Sequence, residues 1–187
     1  MEEQITMPVK NNPTKVATKW ALINALTAII ITYAFEFLNV DPNSPLKYLS
    51  YIPFIIFLFL TQKEFKDEIG GFMTFGEGFS AGFRYALFTG LIMALFIYLY
   101  CTVLSPAFFE KAIEASRTKM EEGGKLSSEQ IDKAMDISKK WGPLMAAFGT
   151  AVVYPIFGAI IGLIGAAIFK KERSAHDLID DAIDPSV

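Results

Sequence analysis

Residues 78–94 read GFSAGFRYALFTGLIMA. Small residues stand at every fourth position (Gly78, Gly82, Ala86, Gly90 and Ala94), and large apolar residues such as Phe79, Leu87 and Ile92 fill the intervals. Positions four apart share one face of a helix. The spacing predicts a helix with one shallow groove and bulky apolar side chains elsewhere. In lipid, such a face lets backbones approach closely, because packing rather than hydrophobic burial drives association there.

Charge-free length extends this reading outward. Arg84 and Glu110 enclose 25 uncharged residues, Lys140 and Lys170 enclose 29, and Lys19 and Glu36 enclose 16. About 20 mostly apolar residues cross about 30 Å of hydrocarbon. Two intervals clear that length, and the first does so with Glu36 at headgroup level. Only 15 uncharged residues separate Lys47 from Lys63. That segment spans if both lysines snorkel or the bilayer thins; otherwise it is re-entrant.

The expected fold is therefore all-α, a polytopic membrane helical bundle. It has four transmembrane helices and an extramembrane helical hairpin between spans three and four. Residues 1–15 form a cytoplasmic tail and 16–104 the first three spans. Residues 105–140 form the charged hairpin, 141–169 the fourth span and 170–187 an acidic cytoplasmic tail. The run after residue 15 is too long for a signal peptide and lacks an Ala-x-Ala-like site, so it reads as a retained span.

In span one, Ala17, Ala21 and Ala25 form a weaker small-residue face. Asn24 is either a hydrogen bond between helices or a ligand in a transport path; without a charged companion, the first is favoured. NVDPNSP at 39–45 is a turn by composition. Pro53 is expected to bend span two. Phe65, Ile69 and Phe72 recur among charges, which predicts a short amphipathic surface helix ending at Gly70-Gly71. In span three, Glu77 and Arg84 lie two turns apart on one side. Snorkelling with mutual pairing is weighed against an ion pair lining a path, and snorkelling is preferred because Arg84 lies near the polar end.

Ser105-Pro106 opens the hairpin as cap and first helical residue. Phe109, Ile113 and Met120 give its first helix an apolar side, and Gly123-Gly124 stops it. Ser127 to Gln130 reads as a capping box for the second helix. Seven basic residues balance seven acidic ones here. In span four, Gly158, Gly162 and Ala166 form a second close-packing face, and Pro155 should kink the helix.

The net charge of −3 gives no case for nucleic acid. The single cysteine, Cys101, lies in an apolar run and excludes an internal disulfide; the single histidine, His176, cannot build a histidine zinc site. Hydrolase, P-loop and metalloprotease motifs are missing. The carboxylate pairs Glu110/Glu114 and Asp132/Asp136 have basic neighbours and read as solvated helix faces. No catalytic residue, metal ligand or cofactor is expected.

KEFKDEIGGFMTFGEGFSAGFRYAL at 63–87, FFEKAIEASRTKMEEGGKLSSEQIDKAMD at 108–136 and IGAAIFKKE at 164–172 together resemble the bacterial membrane family called domain of unknown function 4199. The resemblance implies a multi-span inner-membrane protein, common in Bacteroidota, with no assigned activity and no site residues to carry over.

The functional expectation is a non-catalytic scaffold or accessory subunit. It packs through Gly78, Gly82, Ala86, Gly90, Ala94, Gly158, Gly162 and Ala166. The alternative is a small oligomeric transporter or channel with Asn24, Glu36, Glu77 and Arg84 along the route. Expected partners are the lipid bilayer and either a second copy or another membrane protein. Basic residues hugging the ends of the spans on the terminal side place both termini in the cytoplasm.

Overall fold

The computed structural model describes residues 12–41 and 44–172, the Lys47 and Ser50 side chains excepted. The sequence-predicted tails, including His176 and the acidic C-terminal run, lie largely outside them, as do Pro42 and Asn43 of the predicted turn. Five α-helices account for the fold among the described residues: α1 Pro13–Phe37, α2 Tyr51–Glu68, α3 Phe75–Leu99, α4 Pro106–Gly123 and α5 Ser128–Phe169. A 3₁₀ stretch, Pro45–Ser50, leads into α2, and a π turn, Tyr100–Leu104, closes α3.

Three starts have a side-chain cap. Asn12 accepts from the Thr14 N–H ahead of Pro13 in α1. Thr74/Glu77 and Ser127/Gln130 form full capping boxes on α3 and α5. Gly70 and Gly71, with φ of 88° and 81°, turn the chain after α2 at angles that favour glycine.

Three helical stretches are long and apolar enough to cross a membrane: Pro13–Phe37, Phe75–Leu104 and Ser128–Phe169. α2 is not among them, because its last turns carry Lys63, Glu64, Lys66, Asp67 and Glu68. The amphipathic surface helix predicted near 61–72 is no separate element; residues 61–68 continue α2. The boundary predicted between 140 and 141 falls inside α5. Charge density changes there, but a change from charged to apolar residues does not break helical hydrogen bonding.

α1 runs parallel to α3, while α2 and α5 run against α3. Ala17, Ala21, Phe54, Leu58, Tyr85 and Ala86 form the central core. Val16, Phe65, Met73 and Ala81 close one end; Ala25, Ala28, Met93, Phe96 and Tyr100 fill the other. Cys101 packs half-buried beside this second group. α4 reverses at Gly124 and packs on the start of α5 through Ile113, Ile131 and Met135. At the opposite end, Met73 and Lys171 exchange backbone hydrogen bonds of 2.8 and 2.9 Å. They tie the α2–α3 connection to the end of α5.

Candidate functional site: the seam of α2, α3 and α5

The small faces of α3 and α5 meet. A Cβ added at Gly158 would overlap the Ala86 Cβ. One at Gly78 would lie 2.8 Å from the Met73 Cε and 3.3 Å from Ala166, and one at Gly90 would lie 3.0 Å from the Tyr154 Cβ. The Gly158 contact leaves no room for a Cβ, and the Gly78 and Gly90 contacts are tighter than most real Cβ contacts, so these positions set how near the helices come. Gly162 has more room, with its nearest neighbour, the Gly82 carbonyl carbon, at 3.9 Å. Ala94 is only half-buried, one turn beyond the tight contacts.

Pro155 shapes the crossing. Its missing N–H frees the carbonyl of Ala151 from its helical partner. Gly90 sits against this point, where its Cβ would meet the Pro155 Cδ at 3.1 Å and the Ala151 oxygen at 3.5 Å.

Gly82 faces α2 as well as α5. A Cβ there would lie 2.8 Å from the Gln62 Nε2. Gln62 is fully buried, and its Nε2 donates to the carbonyls of Gly78 (3.0 Å) and Gly162 (2.8 Å). An amide NH₂ carries two donors, so one side chain fastens two helices to a third. Its Oε1 has no hydrogen-bond partner among the described residues and lies against Gly165, where any Cβ would overlap it. The Tyr85 hydroxyl makes a second such tie, donating to the Phe54 carbonyl at 3.0 Å.

Gln62 carries no signal of this role in the sequence beyond being an amide at the end of an apolar run. The Lys63-Glu64 that follows makes it read as the start of a polar connection. The Thr74–Glu77 capping box, by contrast, was available from its spacing.

The four residues considered for a polar path do not converge. Asn24 is buried within α1 on the side carrying Ala21, Ala25 and Ala28, and its Oδ1 has no hydrogen-bond partner among the described residues. Glu36 lies at the far end, accepting from the Tyr100 hydroxyl at 2.8 Å and from Ser105 Oγ. Ser105 therefore serves Glu36 and makes no side-chain cap on α4, contrary to its predicted role. Glu77 is used in its capping box at the opposite end. Arg84 does not pair with Glu77; it donates to Thr14 Oγ1 at 2.7 Å and to Asn12 Oδ1 at 3.5 Å, binding α3 to the start of α1. Nearby, Glu64 receives Lys19 and, at 2.9 Å, the Trp20 indole N–H.

On the charged arm formed by α4 and the start of α5, Arg117 donates to Glu121 (2.9 Å) and Asp132 (2.7 Å). Those carboxylates push its guanidinium above the usual range.

A family model described as "Protein of unknown function (DUF4199)" matches residues 19–171. The chain belongs to this family. No curated protein and no solved structure matches it. The DUF4199 match opens at Lys19, which meets Glu64, and closes at Lys171, which bridges to Met73. It contains the whole glycine seam and the Gln62 tie, while the Asn12 and Thr14 partners of Arg84 precede it.

Proposed function

We propose that this is a four-span membrane protein acting as a non-catalytic scaffold or accessory subunit, with both termini in the cytoplasm and the α4–α5 arm on the opposite side. The single observation that carries the reading is the length of α5. At about 1.5 Å per residue its 42 residues extend about 63 Å, twice the hydrocarbon thickness of about 30 Å. Its charged first half, braced by α4, therefore suits a rigid projection from the membrane, while its apolar second half suits a span.

The fourth crossing is supported by adding the 3₁₀ stretch to α2. Pro45–Ser50 contributes about 12 Å at about 2.0 Å per residue, and Tyr51 to Gln62 about 18 Å. Phe54 and Leu58 are buried against the other helices. Outward-facing Leu22, Leu26, Leu91, Leu95, Phe148 and Ile160 suit contact with lipid.

Gln62, Tyr85, Glu36 and Arg84 fasten helices to each other, which favours a packed support over a conducting route. Photocrosslinkers at Lys119 and Glu122 on the arm, compared with one at Leu26, test this in native membranes. A discrete protein adduct is expected from the arm positions and lipid adducts alone from Leu26. Solute flux through proteoliposomes that disappears with Arg84→Gln, with no protein adduct from the arm, would overturn it.

A further inference from the structure

Between the end of α3, α4 and α5 lies a cleft of about 520 Å³. Cys101, Phe109, Ile113 and Pro143 give it an apolar lining; Glu110 and Glu114 stand on the α4 side and Lys139 on the α5 side. None of these three charges forms an ion pair among the described residues, although Arg117 and Lys133 on the same arm do. Val103 and Leu104, between the Thr102 and Pro106 linings, and Leu144 and Phe148, just after Pro143, are exposed. The cleft thus offers two carboxylates and one ammonium, with exposed apolar residues neighbouring its lining in the chain.

We propose that this cleft binds one phospholipid with a zwitterionic aminophosphate headgroup, the phosphatidylethanolamine class. The primary ammonium of the headgroup donates to Glu110 and Glu114, the phosphodiester accepts from Lys139, and the acyl chains lie along Val103, Leu104, Leu144 and Phe148. The sign of the site selects this class. Two carboxylates against one ammonium leave a net negative charge, which opposes phosphatidylglycerol. A choline headgroup has no N–H to donate, whereas a primary ammonium has three. The assignment rests on the proposed reading in which the α4–α5 arm begins at the membrane surface, since that places the cleft at headgroup depth.

The test is native mass spectrometry of the delipidated full-length protein. It is titrated with phosphatidylethanolamine, phosphatidylcholine and phosphatidylglycerol of identical acyl chains. The ethanolamine lipid is expected to bind about tenfold more tightly than either competitor, equivalent to about 1.4 kcal/mol. The double variant Glu110→Gln/Glu114→Gln should remove that preference, and Lys139→Gln should weaken all three lipids. All three sites are exposed, so the fold is retained. Equal binding of the three lipids, or a preference untouched by the double variant, overturns the proposal. A parallel measurement separates the underlying topology: Lys119→Cys in a Cys101→Ser background is treated with a membrane-impermeant maleimide. Labelling in intact cells together with indifferent lipid binding sinks the lipid site alone; labelling only after the membranes are opened sinks the proposed orientation, and no labelling even then sinks the extramembrane arm and the site with it.

Discussion

Gln62 Nε2 donates to the Gly162 carbonyl at 2.8 Å, joining residues one hundred positions apart in the chain. The same nitrogen reaches Gly78 on α3. α2, which falls short of a spanning helix by composition, is held to the two apolar helices by a polar side chain as well as by Phe54 and Leu58.

Gln62→Leu should therefore lower stability in detergent by about 1–2 kcal/mol, the range of hydrogen bonds between membrane helices. Gln62→Glu should cost more, because an ionised carboxylate accepts only and would face two carbonyl oxygens. Thermal or denaturant unfolding of the purified variants provides the ranking; a Leu variant as stable as the parent would remove the donor role.

The glycines of α5 should not respond alike. Gly158→Ala meets Ala86 and should destabilise by about 1–3 kcal/mol through overpacking. Adding Ala86→Gly should recover much of the loss. Gly162→Ala, with 3.9 Å to its nearest neighbour, should stay within about 1 kcal/mol of the parent, helped by the better helix propensity of alanine. Melting temperatures of the four proteins decide it.

Glu36 joins the end of α1 to the π turn through Tyr100 and Ser105. A double-mutant cycle of Glu36→Gln with Tyr100→Phe should give a coupling of at least about 0.5 kcal/mol. A cycle of Glu77→Gln with Arg84→Gln should give additivity within about 0.3–0.5 kcal/mol, because each side chain binds a different partner.

Loss of the α5 cap through Ser127→Ala should destabilise the arm by about 1 kcal/mol while leaving the seam intact. Hydrogen exchange is the measurement, with protection falling around 128–135 and unchanged around 158–166.

Much of this architecture is legible in the sequence. The apolar runs gave the three long helices, and four-residue spacing singled out Gly78, Gly82, Ala86 and Gly90, all of which the structure buries. The Ser127 box was readable because its chemistry is local. Gln62 was not, because its partners lie on other helices and nothing in its own neighbourhood marks it. Arg84 and Glu77 misled for the same reason: shared direction on one helix says nothing about the residues that approach from another. The unbroken α5 is not legible because charge stops at Lys140 and suggests a boundary there, whereas a helix ends only where its backbone bonds find other partners.

That unbroken helix has a mechanical consequence. Ser128 and Gly158 belong to one rod, so torque applied to the projecting arm is delivered directly to the crossing with Ala86. Bending can be absorbed most cheaply at Pro143 and Pro155, where a backbone bond is missing. The second of these lies beside Gly90, so a load taken up by the α4-braced half of α5 would register as a change in how α3 and α5 cross.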